Sequence, residues 1–148
     1  LHPRVRRQRQ MCIRDRLIIF LVFFLFASTG KCFAAHQYLE KEYQNVWCKA
    51  HNGATEYILN DKTRIDCLTK EHAIEFDFAQ KWAESIGQAL YYSLCTNKTA
   101  GVVLIMENPQ KDVKYLTRLQ EVAKKYNIKV WTMTPQDMHN ERNCSNVQ

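Results

Sequence analysis

Three acidic residues, Asp66, Glu75 and Asp77, fall in neighbouring segments whose alternating apolar residues predict β-strands. Residues two apart in a strand project to the same face, so Glu75 and Asp77 point together while their neighbours pack on the other side. Asp66 lies beside them if the two segments pair in an ordinary hairpin register. Carboxylates held so close repel one another unless a cation neutralises them or they share a proton. Such oxygen ligands suit Mg²⁺ or Mn²⁺, which bind through one or two carboxylates together with water and substrate phosphate.

Taken alone, Asp66 or Glu75 could simply face solvent on an edge strand. The helix predicted directly after these acids favours a functional site instead. Its polar residues at i, i+3, i+7 and i+11 are Lys81, Glu84, Gln88 and Tyr92. Residues at this spacing share one helical face. The helix can therefore present a lysine, an amide and a phenol toward the acids.

The elements that must position these residues follow one another as helix, three strands, helix, strand, helix and strand. Residues 39–50 carry a one-sided apolar stripe that predicts the first helix. The remaining predicted elements are strands at 55–59, 64–69 and 73–78, a helix at 80–95, a strand at 102–106, a helix at 111–126 and a strand at 128–133. Strand, helix, strand, helix, strand over residues 73–133 implies right-handed parallel crossovers added to an antiparallel hairpin. We therefore expect an α/β domain in which helices flank a mixed sheet, in the order α-β-β-β-α-β-α-β.

The first quarter of the chain does not have the composition of a folded domain. Residues 1–16 contain six arginines and no apolar period, and they resemble the translation of a sequencing adaptor. Residues 17–35 read as a signal peptide, because their apolar run is short for a membrane span and ends in small residues. A retained membrane anchor is the alternative. We expect a domain over residues 36–135 that is secreted or periplasmic in a bacterium and free of stable membrane association after cleavage, followed by a mobile tail at 136–148.

The net charge of +6 does not describe the predicted domain. Seven of the 21 Lys and Arg residues and one of the 15 acids precede residue 36, so 14 of each follow it. A neutral domain lacks the overall basic charge that is typical of nucleic-acid binding. Any polyanionic partner must therefore be attracted by local patches.

Four cysteines remain after residue 36: Cys48, Cys67, Cys95 and Cys144. They permit three full pairings, and their spacing does not form the close pairs of a zinc site. Cys67 lies within a predicted strand, which favours a buried thiol. Cys144 lies in a polar tail, as a free thiol or as a partner of another cysteine.

The acids and the following helix resemble the PD-(D/E)XK nuclease superfamily, in particular its RecB-type branch with an added Gln-x-x-x-Tyr motif. Asp66 in "RID" matches the motif aspartate, and Glu75 in "EFD" matches the first position of (D/E)-x-K. Gln88 and Tyr92 match the added pair. The resemblance covers about residues 40–133, and the predicted element order agrees with a restriction-endonuclease-like core.

This resemblance implies metal-dependent hydrolysis of phosphodiester bonds in DNA, with Mg²⁺ or Mn²⁺ as the cofactor. The metal would lower the pKa of a bound water and stabilise charge on the scissile phosphate. The resemblance assigns Asp66, Glu75 and the main-chain carbonyl of Phe76 to the metal, Glu42 to the accessory acid that these nucleases carry upstream, and Gln88 and Tyr92 to support of the DNA or of the site.

One position departs from the family pattern, because Asp77 stands where the motif has its lysine. In the family, that lysine orients or activates the attacking water and offsets charge on the phosphate, and a carboxylate cannot supply that positive charge. Lys81, four residues later, is the nearby cation that can replace it, and Asp77 would then add a ligand or hold Lys81. Two alternatives follow from the departure: a catalytically inactive, exported nuclease-fold domain that binds nucleic acid or protein, and an exported structural domain.

Overall fold

The computed structural model of the protein describes residues 36–139. Its helices are α1 (Glu40–Ala50), α2 (Trp82–Thr96) and α3 (Pro109–Tyr126), and its strands are β1 (Ala54–Ile58), β2 (Arg64–Leu68), β3 (His72–Phe78), β4 (Thr99–Ile105) and β5 (Lys129–Met133). A short 3₁₀ helix, Ala79–Lys81, joins β3 to α2. The observed order is the predicted one.

The five strands form one sheet in the order β1-β2-β3-β4-β5. β1 pairs with β2 and β2 with β3 in antiparallel fashion, whereas β3, β4 and β5 are parallel. The helices α2 and α3 make the two parallel crossovers. The predicted α/β class, a mixed sheet flanked by helices, is confirmed.

Two of the helices end at residues that tolerate left-handed backbone. α2 and α3 each stop at an asparagine, Asn97 and Asn127, both with φ of 54°. Asn tolerates this region better than most residues because its short polar side chain can bond locally. At the start of α3, the Asn108 side chain accepts a hydrogen bond from the main-chain N–H of Lys111 and Pro109 occupies the first turn.

The sheet buries apolar side chains on both faces. The core on the α1 side contains Tyr43, Trp47, Cys48, Cys67, Ile74, Phe76, Phe78, Val103, Ile105, Met133 and Met138. The core on the side of α2 and α3 contains Ala79, Ala89, Ala100, Val102, Leu104, Met106, Leu119, Ala123 and Ile128. Because alternate residues of β3 face opposite ways, Ile74, Phe76 and Phe78 enter the first core, and Glu75 and Asp77 face away from it.

A disulfide joins Cys48 in α1 to Cys67 in β2. The expectation of a buried thiol at Cys67 was therefore wrong, although the residue is fully buried. Alternation in a strand predicts burial, but the pairing depends on α1 crossing β2 at this point. Cys95 is a free, exposed thiol, and Cys144 lies outside the described residues.

The domain extends beyond the predicted boundary at residue 135. Residues 135–139 form a helical turn whose Met138 is fully buried in the core on the α1 side. Asp137 accepts hydrogen bonds from the main chain and hydroxyl of Thr134, which closes this turn. The predicted mobile tail therefore cannot start at 136, and residues 140–148 lie outside the described part of the chain.

Our predictions for residues 1–16 and 17–35 also fall outside the described part of the chain. Within residues 36–139, no helix combines the length and the apolar composition needed to cross a bilayer.

Candidate active site

The strands β2 and β3 separate where the acids begin. β2 pairs with β3 through Cys67 opposite Ile74 and Leu68 opposite Ala73. Beyond these pairs, a side chain of β2 takes the place of its main chain as the partner of β3. Asp66 Oδ2 accepts a hydrogen bond from the main-chain N–H of Phe76 at 2.9 Å. In an antiparallel pair a residue's N–H and carbonyl face the same neighbouring strand, so the Phe76 carbonyl also points toward this gap.

The gap opens into a cavity of about 360 Å³. Its lining residues are Glu40, Arg64, Asp66, Glu75, Phe76, Asp77, Lys81, Glu84, Gln88 and Tyr92. The cavity brings together every predicted site residue except Glu42. The Phe76 side chain is fully buried in the opposite core, so Phe76 reaches the cavity through its main chain.

Glu75 is the most perturbed acid of the site. Its side chain is buried, and its Oε2 has no hydrogen-bond partner among the described residues. Burial, reinforced by the charges of Asp66 and Asp77, raises the pKa of Glu75 to about 9. Glu75 therefore keeps its proton at neutral pH in the metal-free protein.

The other acids of the cavity are shifted in the same direction. Burial raises the pKa of Asp66, against the opposing hydrogen bond from the Phe76 N–H. Burial raises the pKa of Glu40 to about 7, and the charges of Asp77 and Asp66 add to the shift. Burial likewise raises the pKa of Asp77 to about 6, although the nearby Lys81 opposes it. The positive charge near these four carboxyl groups is therefore too small to keep all of them ionised at their ordinary pKa values.

Lys81, at the end of the 3₁₀ turn before α2, places a positive charge beside the acids of the cavity. The 3₁₀ turn after β3 brings its Nζ to 3.6 Å from Asp77 Oδ1, with 56% of the lysine side chain exposed. Asp77 is itself fixed, because its Oδ1 accepts a hydrogen bond from the main-chain N–H of Phe78 at 3.1 Å. Asp77 thus holds the lysine at the edge of the cavity.

Gln88 and Tyr92 line the wall that α2 contributes. Tyr92 Oη donates a hydrogen bond to Gln88 Oε1 at 3.4 Å. Burial, followed by the charges of Glu75 and Asp66, raises the pKa of Tyr92 to about 12. The buried phenol remains a hydrogen-bond donor at all ordinary pH values.

The acid that α1 brings to the cavity is Glu40 and not the predicted Glu42. Glu42 accepts a hydrogen bond from the main-chain N–H of Leu39 at 2.9 Å, where the helix leaves its first donors without intrahelical partners. Both acids occupy the first turn of α1, and the orientation of the helix decides which of them faces the acids of the sheet.

Asp66 is also positioned by a hydrogen-bonded group of three residues that the sequence did not indicate. Gln44, nearly fully buried, donates hydrogen bonds to the main-chain carbonyl of Asp66 and to Glu56 Oε1. Arg64 forms an ion pair with Glu56 at 2.8 Å. Glu56 has a φ of 56°, a strained value for a residue within a strand. Gln44 lies four residues after Glu40 on the same helical face, which was the one available signal.

The oxygen ligands of the cavity suit a hard divalent ion that takes only part of its coordination from the protein. No group of three His, Cys, Asp or Glu side chains in residues 36–139 converges as a metal cage. Mg²⁺ does not require such a cage, because it keeps several waters and binds through one or two carboxylates plus substrate phosphate. Asp66, Glu75 with its unpartnered Oε2, and the Phe76 carbonyl provide that smaller set.

Comparison of this chain with protein-family models, with curated proteins and with solved structures finds no match. Its function must therefore be inferred from the geometry and chemistry of the cavity.

Proposed function

We propose that this protein is a metal-dependent nuclease that hydrolyses phosphodiester bonds in DNA. The observation that carries the proposal is the convergence of the buried Glu75 carboxyl, the half-buried Asp66 carboxyl and the amine of Lys81 on one cavity. A buried carboxyl oxygen without a hydrogen-bond partner costs free energy unless another group satisfies it. A divalent cation at Glu75 Oε2 would remove that cost and create a phosphate-binding site.

The residues have distinct roles in the proposed reaction. Asp66, Glu75 and the Phe76 carbonyl would hold Mg²⁺ or Mn²⁺, which when bound acidifies a water and stabilises charge on the phosphate. Lys81 Nζ donates a hydrogen bond that orients the attacking water, and Asp77 keeps that amine in place. Glu40 takes the accessory acidic position in place of Glu42. The Tyr92 phenol and the Gln88 amide support the substrate side of the cavity.

The resemblance to PD-(D/E)XK nucleases supports this assignment. The order of elements agrees with the core of that family, and Asp66, Glu75, Gln88 and Tyr92 line one cavity. The lysine reaches the cavity from the turn before α2 instead of from β3. The Cys48–Cys67 disulfide supports a secreted or periplasmic location, because disulfides persist in oxidising compartments.

The test is cleavage of single- and double-stranded DNA by the purified protein with Mn²⁺, with Mg²⁺ or with a chelator. We expect metal-dependent cleavage that Glu75→Ala and Lys81→Ala each reduce by about 100-fold or more, as loss of a transition-state contact does. Lys70→Ala, an exposed lysine away from the cavity, is the matched control and should cleave normally. Full activity in Glu75→Ala would place the reaction elsewhere or assign it to a contaminant.

The ion pair between Asp77 and Lys81 favours a second candidate, a catalytically inactive nuclease-fold domain that binds nucleic acid or protein. A carboxylate beside the lysine neutralises part of the charge that a phosphate would meet. In that case Mn²⁺ binding should be detectable by calorimetry and lost in Glu75→Ala, while no DNA is cleaved with any metal.

A further inference from the structure

The exposed face of α3 concentrates the positive charge of an otherwise neutral domain. Residues 36–139 contain 13 Lys and Arg residues and 13 Asp and Glu residues. α3 alone has five of the basic residues, all exposed, against two acids, of which Asp112 is buried and Glu121 exposed. The rest of the described domain is correspondingly acidic.

Four of these basic residues form a narrow line, here called the α3 stripe: Lys111, Lys114, Arg118 and Lys125. At 3.6 residues per turn their offsets place all four within an arc of about 60°, over a length of about 21 Å. Lys124 lies well off this line. Tyr115 is interleaved with the stripe, with Lys114 Nζ 4.8 Å and the Arg118 guanidinium 6.0 Å from its ring centre.

One acid, Glu121, lies on the same side of α3, three residues after Arg118 and four before Lys125, so the α3 stripe and this acid together carry a net charge of +3. Among the described residues, none of its four cations lies within ion-pair distance of a carboxylate. Its exposed charges therefore remain available to an anionic partner. Tyr115 is partly buried against the core on the side of α2 and α3, so the stripe offers charge to a partner and not a free aromatic ring.

The first turn of α3 packs against the segment that carries Lys81 to the cavity. In this segment, Ala79–Lys81, Gln80 Nε2 donates a hydrogen bond to Asp112 Oδ1 at 3.4 Å. Lys111, the first residue of the stripe, is adjacent to Asp112 in the chain, and Lys81 is adjacent to Gln80. A strand that leaves the cavity past Lys81 can therefore continue onto α3.

We infer that the α3 stripe binds the sugar-phosphate backbone of the substrate, so that the preferred substrate is a polynucleotide extending beyond the scissile bond. This inference rests on the proposed nuclease function. A length of 21 Å corresponds to about six nucleotides of one strand at 3.4 Å each. Contacts to phosphates neutralise charge without reading bases, so the stripe confers affinity and salt dependence but no sequence preference.

The test compares Lys114→Gln/Arg118→Gln with a control of equal charge change, Lys49→Gln/Lys124→Gln, whose lysines are exposed and off the stripe. Affinity for a fluorescent duplex of about 20 base pairs is measured by anisotropy between about 50 and 200 mM salt, with Ca²⁺ in place of Mg²⁺. We expect the stripe variant to bind at least about tenfold more weakly and to lower the salt slope by about 2. The control should resemble the wild type.

Hydrolysis of bis(p-nitrophenyl) phosphate, too small to reach α3, separates this inference from the proposed function. The stripe variant should hydrolyse it at the wild-type rate. If no variant hydrolyses it or DNA but the stripe variant still loses duplex affinity, the nuclease proposal fails and the binding surface stands. Equal duplex affinity and salt slope in the stripe and control variants would overturn the inference. So would wild-type protein that binds anionic phospholipid vesicles but not the duplex.

Discussion

Replacement of Glu75 by glutamine should remove a large part of the pH dependence of stability in the metal-free protein. The folded protein raises the pKa of Glu75 to about 9 by burial and by the charges of neighbouring acids. An unfolded chain returns this carboxyl to its ordinary value of about 4.5. Between those values the folded state keeps a proton that the unfolded state releases, so stability falls as the pH rises.

The expected size of the effect follows from that one proton. Each pH unit costs about 1.4 kcal/mol when the folded state binds one more proton than the unfolded state. From about pH 5.5 to 7.5, both between the two pKa values, Glu75 therefore lowers the free energy of unfolding by about 3 kcal/mol. For a domain of this size the loss corresponds to about 10 °C or more in the melting temperature. A glutamine at this position mimics the protonated acid, donates a hydrogen bond to Asp66 and does not titrate.

Urea unfolding in the presence of a chelator at about pH 5.5 and 7.5 measures the difference. The pKa of Glu40 is also raised and that of His72 is lowered, both chiefly by burial. These groups act with opposite signs and are present in both proteins, as are Asp66 and Asp77, whose pKa values are also raised. The comparison therefore measures Glu75 together with its effect on the neighbouring acids. Glu121→Gln, an exposed acid on α3, serves as the control and should keep the wild-type slope. A Glu75→Gln variant with the same pH slope as the wild type would show that Glu75 is already ionised.

Four further results are expected. Reduction of the Cys48–Cys67 disulfide, whose sequence separation is 19, should lower the free energy of unfolding by about 3 kcal/mol in urea, whereas Cys95→Ser should not change it. Gly53→Ala should cost about 1–3 kcal/mol by thermal unfolding, because its added Cβ would lie 2.5 Å and 2.6 Å from the two bridged sulfurs. Gln44→Leu leaves two acceptors without their donor and should lower the free energy of unfolding by about 1–3 kcal/mol, with a weaker Mn²⁺ affinity by calorimetry. Mn²⁺ binding near pH 7 should release about one proton, read from calorimetry in buffers of different ionisation enthalpy, and Glu75→Gln should abolish that release.

The order of the elements and the convergence of the acids could be predicted because each depends on local periodicity. Alternation in β3 separates Glu75 and Asp77 from the core, and helical spacing places Gln88 and Tyr92 on one side of α2. These rules need no knowledge of how distant segments meet. They were therefore sufficient to place most of the cavity.

Features that depend on the crossing of distant segments could not be obtained in this way. The choice between Glu40 and Glu42 depends on the rotation of α1 over the sheet, and the first-turn cap engages Glu42. The Cys48–Cys67 pairing depends on the same crossing. The left-handed backbone of Glu56 follows no propensity of glutamate, and its carboxylate is held by the buried Gln44 and by the exposed Arg64. Burial of Met138 was masked by the polar composition around it.

In the proposed nuclease, the balance of charge in the cavity requires a bound cation in addition to Lys81. Five acids line the cavity, Glu40, Asp66, Glu75, Asp77 and Glu84, against Arg64 and Lys81. Arg64 is engaged by Glu56 and Lys81 by Asp77, so protons bound at raised pKa supply the remaining neutralisation in the metal-free protein. A phosphodiester entering this cavity would meet carboxyl groups and be repelled once they ionise. In the proposed nuclease, a divalent ion would displace the proton of Glu75 and reverse the local charge, and the ion pair with Asp77 would keep Lys81 at the cavity edge.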